Sequence, residues 1–314
     1  MKRESMVALS LIVVAIIVFA GYQIALAPSK GVEEKTVRAG SKVQVEYIGM
    51  LEPKYGSLVF DTSIYKVAVD NITYPKVATF KMKSKDLYTP LRVHVEGKSD
   101  GGYIKVVDGF SEGLIGMKVG DTKTIIVPPE KGYGYGDKNL IKTLPIVEKI
   151  RMRETYSVGQ FKLFFDKSPE VGMVVENPIY HWPMVVEVVL NNSAVVRNDP
   201  EINSIYHSIA WDVKVLNIDS SADRGNGTIT VKHLVDKSEI FRVKGSLKDN
   251  TDAQIFLKRS NMSLYEKALA SGGDKTFILT DVNESAGTYT IDYNDVTKGR
   301  TLVFWVKLIS IDKW

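Results

Sequence analysis

The chain has 314 residues, 44% hydrophobic and 25% charged, a globular balance that excludes wholesale disorder and leaves room for two or three domains. A net charge of +4, with 41 Lys and Arg dispersed among 37 Asp and Glu, offers neither a basic stripe for nucleic acid nor an acidic tail. There is no cysteine, which excludes disulfide frameworks, thiolate nucleophiles and zinc ribbons, and the four histidines are too far apart for a ligand pair, so no metal or other cofactor is expected.

Residues 5–29 carry no charge, and the apolar run 6–27, at about 1.5 Å per residue, is long enough to cross a hydrocarbon core of about 30 Å. Lys2 and Arg3 precede it, which predicts a cytoplasmic tail (1–5), a single-pass membrane anchor (6–27) and soluble domains outside the cytoplasmic membrane, although Lys30, Lys35 and Arg38 weaken the charge contrast. Ala25-Leu-Ala27 has the form of a signal-peptide cleavage site. The apolar run exceeds the usual core of such peptides, about 7–15 residues, so an uncleaved anchor is the preferred reading. Asn-x-Ser/Thr triplets at Asn71, Asn191, Asn226, Asn261 and Asn283 suit an external surface.

After a polar linker (28–40), residues 42–48 alternate as a half-buried strand, which resumes at 58–60 after a turn-rich break. Residues 109–117 predict one short helix, 124–127 a strand, and Pro128-Pro129 its end, since neither proline can donate to a ladder. From 137 to 205 the texture is short strands and turns, including a hairpin with strands 185–190 and 194–197 around Asn191-Asn-Ser193. Residues 209–216 alternate strongly. The Ser, Asp, Gly and Asn run at 219–227 predicts a linker. Beyond it, segments at 228–235, 239–243, 253–257, 276–279, 287–293 and 302–311 are spaced like strands of a β sandwich, with a helix near 264–270. No nucleotide-binding or serine-hydrolase motif occurs, so any chemistry here is cofactor-free.

Three stretches, in order, carry a specific pattern: Val45-Glu-Tyr-Ile-Gly-Met-Leu51 followed by Phe60-Asp-Thr-Ser63; Val106-Val-Asp-Gly-Phe-Ser-Glu-Gly-Leu-Ile-Gly-Met-Lys-Val-Gly120; and Pro128-Pro-Glu-Lys-Gly-Tyr-Gly134. Together they resemble the FKBP family of peptidyl-prolyl cis/trans isomerases. Ala210-Trp-Asp-Val-Lys-Val-Leu216 looks like that family's last strand, and the segment between Tyr133 and Trp211 resembles the insert-in-flap domain of the SlyD-type and archaeal members, a chaperone-like peptide-binding module. The resemblance covers about residues 40–218 and implies an α+β fold there: an FKBP-like antiparallel half-barrel around one short helix (41–136 and 206–218) with an inserted small β domain (137–205). The linker 219–227, a C-terminal mostly-β domain of sandwich type and unassigned role (228–314) and the N-terminal transmembrane helix are read from the residue pattern alone.

By the same resemblance Asp61, Tyr133, Phe60 and Tyr47 are the expected catalytic residues, and Val106, Val107, Phe110, Trp211 and Val93 the expected substrate-binding ones. Rotation of an X-Pro amide faces a barrier of about 18–20 kcal/mol and breaks no bond, so the reaction needs a dry aromatic cup more than an acid or base. The implied partners are unfolded or partly folded polypeptides containing X-Pro bonds, and the membrane through the anchor, with no nucleic acid and no metal. Departures from the family pattern are a long extension at 64–90, Val93 where many members have an aromatic, and Phe110 in place of a tryptophan. Phe164, Phe165, Ile179, Tyr180, Trp182 and Met184 either capture apolar segments or build the insert's own core. The expected function is isomerase with holding-chaperone activity on secreted or envelope proteins; the alternative is a catalytically weak peptide-binding chaperone or surface interaction protein.

Overall fold

The computed structural model describes residues 35–208, 210–247 and 275–313. The anchor expected at 6–27, the strand at 253–257 and the helix at 264–270 lie outside the described residues. Among the described residues no helix is long and apolar enough to cross a membrane.

The alternation predicted at 42–48 becomes β1 (Lys42–Leu51), which buries Val43, Val45 and Tyr47. Next come β2 (Val59–Thr62), α1 (Tyr65–Val69), β3 (Leu91–His94), α2 (Asp108–Leu114) and β4 (Thr122–Val127). One edge of β1 is shared, with β3 pairing to residues 42–45 and β2 to residues 48–50. Helix α2 lies against β4 through Gly109 and Gly113, four residues apart and so on one face. A Cβ at Gly113 would sit 2.5 Å from Ile125, so any side chain there would push the helix off the sheet. Phe110 and Leu114 are buried in the half-barrel core.

Beyond β4 the chain forms β5 (Ile141–Pro145), β6 (Val147–Arg151), β7 (Arg153–Ser157), α3 (Val158–Phe165), β8 (Val174–Glu176), β9 (Pro183–Leu190), β10 (Ser193–Asn198), β11 (Ile205–His207), β12 (Asp212–Asp219), β13 (Thr228–His233), β14 (Lys244–Leu247), β15 (Lys275–Asn283), β16 (Thr288–Asp292) and β17 (Leu302–Lys313). β17, and not the strand expected at 210–216, closes the half-barrel. It lies between β1 and β4, placing Gly49 and Ile125 opposite Phe304 and Val306 opposite Tyr47. The segment expected to close the sheet forms β12 and pairs with β11 and β13. Both segments alternate and both carry an aromatic early, so pattern alone does not separate them. Pairing does: β17 pairs along the whole of β1 and also with β4, whereas β12 pairs with β11 and β13.

The chain between Gly134 and Gly299 is therefore one insertion, not a small domain at 137–205 followed by a separate C-terminal domain at 228–314. Its neck is tied where the Gly299 N–H donates to the Gly134 carbonyl at 2.8 Å, and where the Asn294 side chain bonds both the N–H and the carbonyl of Asp137 at 2.9 Å. Residues 219–227 are a hairpin connection joining β12 to β13, with the Asp219 carboxylate accepting the Ser221 and Ala222 N–H groups. Turn and linker share the same composition, which is why the two readings diverged. Of the strands expected after 228, those at 228–235, 276–279, 287–293 and 302–311 correspond to β13, β15, β16 and β17. Residues 239–243 form no strand. The hairpin expected around Asn191 is present, with Leu190 opposite Ser193.

Inside the insertion one extended run, 141–157, passes through three four-stranded sheets. β5 pairs β16, β6 pairs β13 and β7 pairs β10. The changeover residues Ile146 and Met152 are buried, and their backbone groups bond to Gly287 and His233 and to Gly227 and Asn198 respectively. The three sheets share one core, in which Trp182, Phe161, Leu279 and Ile291 are almost wholly enclosed. Phe241, Ile278 and Val296 of the insertion pack instead into the core of the half-barrel.

Candidate functional site

Tyr47 on β1 and Asp61 on β2 come together because the two strands are neighbours, with Gly49 opposite Asp61. The Tyr47 hydroxyl donates to Asp61 Oδ2, and the Thr62 N–H donates to Oδ1 at 2.9 Å. Burial, reinforced by the Asp61 charge and this hydrogen bond, raises the Tyr47 phenol far above its ordinary range, so Tyr47 remains a donor throughout neutral pH. Tyr133, on the loop after β4, is 45% exposed and lies within electrostatic reach of both groups. Burial first, and then the charge of Asp61, raises its hydroxyl as well.

The rings converge on a residue that the sequence reading did not single out. Phe304 of β17 meets Phe110 edge-on at 4.9 Å between centroids and Phe60 at 5.6 Å, and lies 6.5 Å from Tyr47; Tyr47 and Phe110 are themselves 6.2 Å apart. Such edge-to-face contacts suit the ring quadrupoles. Gly49 makes the cluster possible, since a Cβ there would lie 2.7 Å from the Phe60 ring and 3.0 Å from that of Phe304. Tyr47, Phe110 and Phe304 form a buried floor, while Phe60, Asp61, Val106 and Val107 are half-buried around it. Val107 also precedes α2 and accepts the Phe110 and Ser111 N–H groups, which ties the wall to the floor.

Comparisons with known proteins agree with this arrangement. The family described as FKBP-type peptidyl-prolyl cis-trans isomerase matches residues 33–147. A short-type peptidyl-prolyl cis-trans isomerase from Methanocaldococcus jannaschii is 34% identical over 140 residues, covering 44% of this chain and 69% of the relative. The chain belongs to the FKBP-type peptidyl-prolyl cis-trans isomerase family. FK506-binding protein 2 from Emericella nidulans is 47% identical over 36 residues, which is 12% of this chain and 25% of that protein. The protein is thus a peptidyl-prolyl cis-trans isomerase acting on proline-containing polypeptides.

Of the residues expected in the isomerase cup, Tyr47, Phe60, Asp61, Val106, Val107, Phe110 and Tyr133 share one region. Trp211 does not. It lies in the core of the insertion, where its indole N–H donates to His233 Nδ1 at 3.0 Å and its ring meets Tyr289 at 5.2 Å. Phe304 takes the place assigned to it, because β17 rather than β12 is the closing strand. Val93 is fully enclosed opposite Val43, which makes it a core residue with no surface to offer a peptide.

The extension at 64–90 adds a group that no motif announced: Lys83 Nζ lies 3.0 Å from Asp61 Oδ1. The extension is held in place by its own bonds. Lys76 donates to the carbonyls of Val67, Asp70 and Tyr74, and residues 59, 75 and 77 exchange backbone hydrogen bonds.

Proposed function

We propose that the hollow walled by Phe60, Val106, Val107 and Tyr133 over Tyr47, Phe110 and Phe304 receives the prolyl ring and carries the isomerisation. Twisting an X-Pro amide removes its resonance and with it the charge separation between nitrogen and oxygen, so a water-poor aromatic lining favours the twisted form over the planar ones. In this reading the Tyr133 hydroxyl donates to a substrate carbonyl, and Asp61, oriented by Tyr47 and Thr62, acts electrostatically on the rotating amide. The observation that carries the reading is the convergence of three rings, those of Tyr47, Phe60 and Phe110, on Phe304 beside the Asp61–Tyr47 hydrogen bond.

The insertion is the natural site of a holding activity. Ile179, Tyr180, Trp182 and Met184 are buried in its core and Phe164 and Phe165 are half-buried, so the capturing surface is built from other residues. Leu163 on α3, Val171, and Val174 on the edge strand β8 are 61%, 68% and 59% exposed. An edge strand flanked by apolar side chains accepts an extended segment by strand addition, and tethering it near the cup raises its local concentration there. The clients would be secreted or envelope polypeptides, met outside the membrane by a chain anchored through 6–27. The exposure of Asn71, Asn191, Asn226 and Asn283 fits that compartment.

The test compares turnover of a short X-Pro peptide with suppression of aggregation of an unfolded protein. Asp61→Asn is expected to depress the first several-fold more than the second, and the pair Leu163→Lys with Val174→Lys to do the reverse. Equal loss of both activities in each variant would overturn the division of labour.

A further inference from the structure

Asp61 has three donors: the Tyr47 hydroxyl, the Thr62 N–H and the Lys83 ammonium. The first two come from the half-barrel. Lys83 comes from the extension, and its position is built rather than incidental: its backbone N–H donates to the Tyr88 hydroxyl at 3.0 Å, and Tyr88 packs edge-on against Tyr65 of α1 with centroids 5.6 Å apart. Both members of the ion pair keep about two-fifths of their surface, 41% for Lys83 and 40% for Asp61. An ammonium has three N–H donors, and Asp61 engages one face of it.

The neighbours of Lys83 share its sign. Lys81 and Lys85 stand two residues to either side and are exposed, and the Lys85 ammonium lies 5.3 Å from the centre of the Tyr65 ring. Elsewhere on the rim Glu112 is paired with Lys131 at 2.7 Å and Asp108 with Lys105 at 3.7 Å, while Asp295 accepts from the Thr297 N–H and hydroxyl and keeps its charge on the Tyr133 side. Asp61 balances one of the three lysine charges and the exposed Asp86, next to Lys85, offsets a second, which leaves a net charge of about +1. The side of the mouth formed by the extension is therefore left positive.

We propose that Lys83, supported by Lys81 and Lys85, is a specificity-determining residue that favours X-Pro segments carrying an aspartate or glutamate within two residues of the proline. The inference rests on the cup reading given above. With the amide beside Asp61, Lys83 is one ion-pair distance further out. A residue of extended chain spans about 3.3–3.6 Å, so a side chain one or two positions from the proline reaches it. An exposed charge pair is worth a factor of about 2–5 in affinity and weakens with salt.

The experiment measures kcat/KM of the full chain for three tetrapeptides that differ only in having Glu, Ala or Lys two positions before the proline. For the parent protein the Glu peptide is expected to exceed the Lys peptide by about 3–10-fold at low ionic strength, with the ratio shrinking toward one in high salt. Lys83→Met should bring the ratio close to one, Lys83→Glu should invert it, and Lys83→Arg should restore the parent preference. A residue acting only on folding would move all three peptides together. A ratio that is the same in the parent and in Lys83→Met overturns the inference. Phe60→Ala, measured alongside on the Ala peptide, separates the two readings: unaltered turnover in that variant means that the cup itself is misplaced, whereas lost turnover together with a charge ratio insensitive to Lys83 sinks only the specificity role.

Discussion

Phe304 stands edge-on to Phe110, with ring planes at 81° and centroids 4.9 Å apart, and this contact joins the last strand of the chain to the helix under the cup. Phe304 touches the floor and wall rings at once, so truncating it removes both apolar burial and the shape of the hollow. Phe304→Ala should cost about 3–5 kcal/mol of stability, as large-to-small core changes of this size do. Phe304→Leu, which keeps most of the volume, should fold and yet lose at least about tenfold in kcat/KM, the equivalent of about 1.4 kcal/mol of barrier. Trp211→Phe provides the contrast, since Trp211 lies in the core of the insertion: denaturant melts should register it while turnover of a short peptide does not.

Asp61 is partly exposed and held by three donors, so its charge can be removed without opening a cavity. Asp61→Asn keeps the shape: its one oxygen can accept from the Thr62 N–H and Lys83 while its NH2 donates to the Tyr47 hydroxyl oxygen. Charge-assisted hydrogen bonds are worth about 1.5–3 kcal/mol, and loss of the charge should lower kcat/KM by about 10–100-fold with little change in melting temperature. Turnover within twofold of the parent would show that the carboxylate charge has no part in the reaction.

The residues of the proposed cup were legible in the sequence where they sit in contiguous motifs. Phe60-Asp61, Val106-Val107, Phe110 and Tyr133 each lie in a short run whose spacing is set locally by a strand, a helix start or a turn, and the fold brings those runs together. Phe304 was not legible because two segments, 210–216 and 302–308, carry similar alternation, and only long-range pairing with β1 and β4 tells them apart. Lys83 was hidden for a different reason. Lys81, Lys83 and Lys85 alternate with Met82 and Ser84, which reads as a solvated edge, and nothing local says that one of these cations meets a carboxylate 22 positions earlier. The extent of the insertion was misread because 141–157 is a single extended run whose three parts pair with strands far along the chain.

Phe241 is where the insertion grips the half-barrel. It is 1% exposed, its ring meets Tyr55 at 4.8 Å and lies 4.7 Å from the Arg300 guanidinium, and its carbonyl accepts the Ala78 N–H at 2.8 Å. It holds a φ of +59°, a conformation that costs a bulky residue of order 1–3 kcal/mol and persists only when its surroundings compel it. Phe241→Ala should therefore uncouple the two bodies as well as destabilise them by about 3–5 kcal/mol. Calorimetry is the readout, with a single transition in the parent giving way to two in the variant. A variant that still unfolds in one step would mean that Ile278 and Val296 suffice to hold the bodies together.

Within the insertion, Arg153 of β7 and Arg197 of β10 are directly opposite one another, a like-charge pairing that by itself disfavours the sheet. Glu187 of β9 resolves it: Oε2 accepts from Arg153 Nε at 2.7 Å and Oε1 from Arg197 Nε at 2.7 Å. Hydrogen bonding from Arg153, then the charge of Arg153 and the bond and charge of Arg197, hold the Glu187 carboxyl below its usual value. A carboxyl depressed on folding contributes stability at pH values above its unfolded pKa of about 4.3, and that contribution is lost as the pH falls through the folded value. Glu187→Gln should accordingly lower the melting temperature by about 2–4 °C at pH 7, for about 1 kcal/mol of partly screened charge interaction, and by progressively less as the pH falls below about 4. If the deficit of the variant were the same at pH 7 and at pH 3, Glu187 would be contributing packing rather than charge, and the facing arginines would owe their tolerance to solvent instead.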